Sequence, residues 1–303
     1  MRLGRAADLA VFHELVPPPT GGGSQFLRAL VGEVERRGVR VARNRLPRAT
    51  RACLFNSFNF DFERLRRAAR PGVRMVHRVD GPVQSVRGFD DGTDERIRRI
   101  NDELAERTIL QSRYSLERHR ALGLELRSPT VIRNTVDPAI FHARGRVGLS
   151  RPVRVVMSSW SDNPRKGSGI FRALEDLLDP AAYELTFVGR TQEQFARARV
   201  VPPLASHELA ELLRTQHVFV APFRDDPCSN ALLEALACGL PALYLDSGGN
   251  PEIVGDAGFA FSAAEELPAL LGRLVDEWAD RRTRIAIASL EQVTQWYLEV
   301  LGL

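Results

Sequence analysis

The chain has 303 residues, 44% of them hydrophobic and 26% charged, with a formal net charge of +4. That length accommodates two domains of ordinary size, the composition excludes a disordered or fibrous chain, and no apolar run approaches the ~20 residues a membrane-spanning helix needs. Charge is uneven: residues 1–149 carry 28 arginines against 17 acids, whereas residues 150–303 carry 14 basic residues against 21 acids. A basic half suited to an anionic partner is thus joined to an acidic half.

The stretch MRLGRAADLAVFHEL lacks the long apolar core and small-residue cleavage site of a signal peptide, and reads instead as a first buried strand. Residues 8–15 form that strand and run into VPPPTGGGS. A helix, QFLRALVGEVERRG, follows and is closed by Gly38. Residues 39–44, 52–57 and 73–79 are strand candidates, with the helix FERLRRAAR between the last two. Residues 94–107 are helical, 108–112 a strand, 115–123 a helix and 128–134 a strand. The rhythm then repeats: strand 153–159, helix 169–178, strand 183–189, helix 206–216 with Ser206 as its N-cap, strand 217–223, helix 230–239, strand 241–246 and helix 264–282. A last amphipathic helix spans 288–303. Strands alternating with helices predict parallel sheets covered on both faces. Two such runs, separated near residues 141–152, predict two doubly wound domains facing a cleft. The expected boundaries are 1–147, 148–285 and a C-terminal helix, 286–303, packing back across the domains.

Three widely spaced cysteines, Cys53, Cys228 and Cys238, match neither a disulfide framework nor a zinc pattern, which points to a reducing cytosol. The histidines likewise lack metal-ligand spacing. No basic platform interleaved with aromatics appears, so nucleic acid is not an expected partner. Of the 42 basic residues only Lys166 is a lysine, and it lies in the loop SDNPRKGSG after a predicted strand. The sharpest constellation is DDPCSNALLEALACGLPAL, residues 225–243. Asp226 falls in a loop after a strand, and Glu234 falls eight residues on, inside an apolar helix where an unpaired acid is costly. Ser229 and Asn230 stand at that helix's N-terminus, where anions are favoured.

This stretch resembles the E-x7-E region of glycosyltransferase family 4, the retaining, nucleotide-sugar-dependent enzymes of GT-B fold. The resemblance continues, in order, through PPPTGGGSQFLRALVGEVERRGVRV, HRVDGP (77–82), ERTILQSRYSLERHRALG, VIRNTVDPAIF, RKGSG and DSGGNPEIVGDAGF. It implies an α/β architecture of two Rossmann-like domains with an inter-domain cleft. By residue, it implies that Lys166 and Arg165 neutralise the donor diphosphate and that Gly22 and Gly23 let the backbone approach it. Glu234 would hold ribose hydroxyls, and Asp226 the hydroxyls of the transferred sugar. Gly248, Gly249 and Asn250 would line the sugar-phosphate end of the pocket, with Glu252 shaping its loop, and His77 would lie near the donor sugar and the acceptor. Arg78 and Asp80, beside His77, are the acceptor-side candidates.

Two departures stand out. The first acid of the pair is Asp226 rather than Glu, and an arginine usual five residues before the lysine is Ser161, so that Arg165, Arg78 or Arg190 must replace its charge. With no Asp-x-Asp triplet in the sequence, fixed protein cations rather than a metal are expected to meet the leaving charge. The expected activity is therefore a metal-independent retaining glycosyl transfer, without a cofactor, from a nucleoside-diphosphate sugar to a hydroxyl of a glycan, lipid or small molecule. A cytoplasmic protein, touching an anionic membrane face peripherally, is the expected setting. A same-fold epimerase or sugar-phosphate synthase, or a nucleotide-sugar-binding protein without turnover, are the alternatives.

Overall fold

A computed structural model describes residues 7–15 and 22–303. These fall into two compact units, one of residues 7–15, 26–134 and 289–303, the other of 22–25 and 135–288.

In the first unit the elements are β1 (Leu9–Phe12), α1 (Gly22–Arg36), β2 (Val41–Arg43), β3 (Ala52–Asn56), α2 (Phe62–Ala68), β4 (Arg74–Val79), α3 (Val83–Arg87), α4 (Thr93–Leu104), β5 (Arg107–Leu110), α5 (Arg113–Ala121) and β6 (Pro129–Val131). The strands are parallel, in the order β2-β1-β3-β4-β5-β6. Every residue of β1 and β3 is buried, the expected result for parallel strands with helices on both faces. Helix α1 presents Phe26, Leu27, Leu30, Val31 and Val34 to the core at helical spacing. Ser112 starts α5 by accepting the Ser115 N–H at 3.0 Å.

The second unit holds β7 (Val153–Ser159), α6 (Ser168–Leu177), β8 (Tyr183–Gly189), β9 (Arg199–Val201), α7 (Ser206–Arg214), β10 (Val218–Ala221), α8 (Asn230–Ala237), β11 (Ala242–Leu245), α9 (Asn250–Val254), β12 (Gly258–Phe261), α10 (Leu267–Asp276) and α11 (Trp278–Thr283). Its parallel sheet runs β12-β11-β10-β7-β8-β9. The chain builds outward from β7 through β8 to β9, then returns to lay β10 on the other side of β7. That reversal opens a crevice at the carboxyl ends of β7 and β10, where ligands bind in such sheets.

The last helix, α12 (Leu290–Leu301), belongs to the first unit. Ser289 and Gln292 exchange side-chain-to-backbone hydrogen bonds of 3.2 and 3.0 Å across its first turn. Tyr297 is fully buried, and its hydroxyl accepts from Arg78 Nε at 3.2 Å.

The structure differs from the expectations at several points. The unit boundary lies at 134/135, before the expected 147. Residues 135–147 bond within the second unit, through Thr135 Oγ1 to the Ala288 carbonyl at 2.6 Å and Val147 N–H to the Arg214 carbonyl at 3.0 Å. The helix expected over 264–282 is three pieces. A 3-10 turn, Ala264–Glu266, precedes α10 because Pro268 has no N–H to extend a helix backwards. The break at Glu277 follows from Trp278, which is buried with Nε1 donating to the His217 carbonyl at 2.9 Å. Ser206 is the first residue of α7 and not its N-cap; Ala205 takes that place, and Glu208 accepts its N–H at 3.0 Å. The strand β12 escaped the sequence reading. Its Gly258 lies so close to β11 that a Cβ would stand 1.8 Å from the Ala242 carbonyl oxygen.

Candidate functional site

The crevice of the second unit is built from the loops after β7, β10 and β11. Beyond β7, Asn163 Oδ1 accepts the Arg165 N–H at 2.9 Å and starts a 3-10 turn, Pro164–Lys166. Gly167 ends it at φ 77°, where a Cβ would stand 2.4 Å from the Pro222 carbonyl oxygen. Glycine alone therefore lets the turn close against the end of β10. The Arg224 N–H to Arg165 carbonyl bond, 2.9 Å, joins the two loops.

The closure sets two cations against two acids. Lys166 Nζ donates to Asp226 Oδ2 at 2.6 Å and stands 5.6 Å from the centre of the Phe223 ring. Arg165 pairs with Asp225, whose backbone is left-handed at φ 53° and whose N–H donates to Ser247 Oγ at 2.9 Å. Asp226 is nearly buried, and its second oxygen accepts the Cys228 N–H at 3.1 Å. The β11 loop presses on the same backbone. A Cβ at Gly248, φ 64°, would stand 2.4 Å from the Asp226 carbonyl oxygen, and one at Gly249 2.2 Å from that of Pro227. Asn250 is buried and donates from Nδ2 to the carbonyls of Phe223 at 2.8 Å and Leu245 at 3.1 Å, so its amide group ties the loops together. Ser229 caps α8 through its hydroxyl, which accepts the Leu232 N–H at 3.3 Å, and Asn230 is the first residue of that helix. Glu252 is half-buried in α9.

One turn into α8, Glu234 lines a cavity of about 110 Å³ with Ser158, Ser159, Trp160, Ser206 and Ala231. Among the described residues its carboxyl has no hydrogen-bond or ion-pair partner, and burial pushes its pKa up to about 8. Beside it, the Arg190 guanidinium lies 4.3 Å above the Trp160 ring, and its backbone N–H bonds the Ser159 carbonyl at 3.0 Å. Ser161, where the resemblance leads one to expect arginine, spends its hydroxyl on the Asn163 N–H at 3.2 Å.

The candidates from the first half of the chain have a different character. Gly22 and Gly23 open α1, and nothing lies within 4 Å of where a Gly23 Cβ would stand; the residues of the glycine loop before them, 16–21, lie outside the described ones. His77 is not in a ligand-facing loop. It lies in β4, fully buried and stacked on Phe55 at 4.5 Å, with Nε2–H donating to the Ser57 carbonyl at 2.8 Å and Nδ1 accepting from Asn101 Nδ2 at 3.1 Å. Burial lowers its pKa to about 4, so a neutral ring with both nitrogens engaged serves the core. Arg78 is also entirely buried. Besides Tyr297 it donates to Asn56 at 2.5 Å, to Asp80 at 2.5 Å and to Asn134 at 2.9 Å, and it lies 5.1 Å from the Phe26 ring centre. Those bonds engage every nitrogen and four of the five N–H groups of its guanidinium, and its side chain has no exposed surface to offer an acceptor. Asp80 is partly exposed and also accepts from Ser57 Oγ at 3.0 Å and from Gln111.

Lys166, Arg165, Asp226, Ser229, Asn230, Gly248, Gly249 and Asn250 thus gather at the carboxyl end of one sheet, with Glu234 in α8. Asp225 was missed by sequence reasoning. Its signal was the match of the doublets, Arg165-Lys166 against Asp225-Asp226, which pair in the same order.

Residues 152–277 match the family model described as glycosyl transferases group 1. No curated protein matches the chain. Solved structures do. Sucrose-phosphate synthase from Thermosynechococcus elongatus superposes with a TM-score of 0.70 at 16% identity, over 97% of this chain and 94% of that one. HepE of Anabaena in complex with UDP gives 0.69 at 14% identity, over 97% and 99%. WaaG, a glycosyltransferase involved in lipopolysaccharide biosynthesis, gives 0.68 at 14% identity, over 97% and 99%. At such identities the likeness is one of fold. The matched family span contains Lys166, Asp226, Glu234 and Gly248. That span lies within the second unit, and the two parallel sheets together give the chain the GT-B fold. No helix of the described residues is long and apolar enough to cross a membrane.

Proposed function

For a glycosyltransferase of this fold, we propose a retaining, metal-independent transfer of a sugar from a nucleoside-diphosphate sugar to an acceptor hydroxyl. The observation that carries the donor assignment is the Glu234 carboxyl, half-buried without a partner among the described residues, at the same carboxyl end of the sheet as the chain's one lysine. An acid in that position needs hydroxyl donors, and the vicinal hydroxyls of a ribose supply two. HepE, similar in fold, has been solved with UDP and with UDP-glucose, which supports a donor of that class.

Lys166 then exchanges Asp226 for the diphosphate, and the released carboxylate accepts hydroxyls of the transferred sugar. Arg190, a cation without a carboxylate partner among the described residues, substitutes for the arginine absent at Ser161. Charge on the departing diphosphate meets fixed cations and the N-terminus of α8. Asp226 is held by Lys166, which ties up the carboxylate that a glycosidase would use as nucleophile. A same-face displacement fits: the acceptor oxygen bonds the anomeric carbon as the phosphate leaves, and the acceptor's proton passes to the leaving phosphate oxygen. The arginine-rich first half favours a phosphate-bearing acceptor at an anionic membrane face.

Calorimetry with UDP-, GDP-, ADP- and dTDP-sugars in the presence of a chelator tests the reading, with NMR of the product anomer. One donor should bind and turn over with retention, and Lys166→Ala should abolish its binding. Failure of all four donors, or an inverted product, overturns it. Glu234 must ionise to accept ribose hydroxyls well, so binding at pH 7 should also release a proton, seen as a dependence of the heat on buffer ionisation.

A further inference from the structure

At the opposite end of the same sheet lies a cavity of about 460 Å³ that the donor site does not use. Its lining comes from the amino ends of the strands: Arg154 near the start of β7, Tyr183 and Thr186 in β8, Arg199 at the start of β9, and Gln216 just before β10, with Arg197 beside them. The volume is that of a small-molecule site, roughly 300–1,000 Å³.

Its charge is unbalanced. Among the described residues, the side chains of Arg154, Arg197 and Arg199 make no ion pair with any carboxylate. Two acids are near. Glu175 is buried and already committed, accepting the backbone N–H groups of Ala196 at 2.9 Å and of Arg197 and Ala198, with Arg172 at 3.4 Å. Glu184 is exposed, and although it is Arg154's register partner across β7 and β8 it forms no ion pair with it. Arg154 does not find an acceptor in His217 either. The ring's Nδ1 accepts the Arg154 backbone N–H at 2.9 Å, so in the neutral ring Nε2, 2.9 Å from Arg154 Nη2, carries the proton. Burial, then the charge of Arg154, holds that ring neutral by lowering its pKa to about 4.

We infer that this cavity binds a small phosphomonoester, such as a sugar phosphate, with its phosphate on Arg154, Arg197 and Arg199 and the rest of the molecule in the space lined by Tyr183 and Thr186. Three guanidinium groups suit the tetrahedral oxygens and the charge of about −2 that a phosphomonoester carries near neutral pH. A volume of about 460 Å³ leaves room for a sugar ring beside the phosphate, more than a bare ion fills. In a half-chain with 14 basic residues against 21 acids, three arginines without carboxylate partners around one cavity mark a place for an anion.

The test is calorimetric titration with glucose 6-phosphate, inorganic phosphate and glucose, on the wild type, on Arg197→Gln/Arg199→Gln and on Lys166→Ala. Both arginines are exposed, so the double variant should keep the wild-type melting curve. Glucose 6-phosphate should bind more tightly than inorganic phosphate, glucose should not bind, the double variant should weaken binding about tenfold, and Lys166→Ala should leave it unchanged. Modification of arginines by phenylglyoxal, read by mass spectrometry, should show Arg197 and Arg199 protected by the same ligand. No binding to the wild type, equal affinity for inorganic phosphate, or loss with Lys166→Ala but not with the arginine pair would each overturn the assignment.

Discussion

Both units carry an arginine or lysine against an aspartate near the carboxyl end of a strand, yet the two pairs do opposite things. In the first unit Arg78 is enclosed and each of its nitrogens has an acceptor: Tyr297, Asn56, Asp80 or Asn134. In the second, Lys166 reaches Asp226 with a single bond and stays partly open to solvent, and Glu234 on the neighbouring helix has no partner among the described residues. The type of residue does not separate a structural ion pair from a functional one. The number of bonds left unmade does, because a saturated network in the interior fixes a fold, whereas an unsaturated group waits for a ligand.

The largest effect that could break this comparison is on stability in the first unit. Arg78→Met leaves the buried Asn56 and Asn134 amides without their donor and should cost about 2–4 kcal/mol in urea denaturation; a cost below about 1 kcal/mol would make the network ornamental. Next comes catalysis in the second unit. Lys166→Ala, with donor binding lost, should lower kcat/KM by at least about 10²–10³-fold, the scale for one lost contact to a developing anion, and should destabilise the fold less than Arg78→Met does. A variant that melts early and turns over normally would reverse the roles of the two pairs.

A smaller effect concerns pH. The Glu234 carboxyl sits near 8 in the folded chain against an ordinary value of 4.5, so between those values the folded state holds a proton that the unfolded state has lost. Stability therefore falls as pH rises through that window and levels off above it. Glu234→Gln, neutral throughout, should flatten the decline in melting temperature from pH 5 to 8 and weaken donor binding; an unchanged slope would mean that the acid titrates normally. The smallest expected change is Ser229→Ala, which removes the cap of α8 at about 1 kcal/mol, seen in denaturation, with a modest loss of donor affinity from a frayed helix N-terminus.

Much of the scaffold was legible because strands buried on both faces are continuous apolar runs. The bounds of β7 and β8 match the sequence reading residue for residue. His77 shows two signals in conflict. The run VRMVHRV marked a buried strand while HRVDGP suggested a loop at the acceptor, and the strand signal prevailed because the ring packs on Phe55 inside the sheet. The break at Glu277 was hidden for the opposite reason. Arg273, Glu277 and Arg281 pair at helical spacing on either side of it, and only the distant His217 carbonyl, which draws Trp278 inward, interrupts the helix. The pairing of Lys166 with Asp226 depends on which strands lie side by side, which local pattern does not encode.

The loop that holds Lys166 has one more consequence. Because every other basic residue of these 303 is arginine, a protease that cuts only after lysine has a single target in the chain, the bond before Gly167. That bond lies in a turn pressed against Pro222, so cleavage requires the turn to lift away. The rate of one cut, followed on an ordinary gel, would report how often the donor loop opens, and how far a bound nucleotide holds it shut.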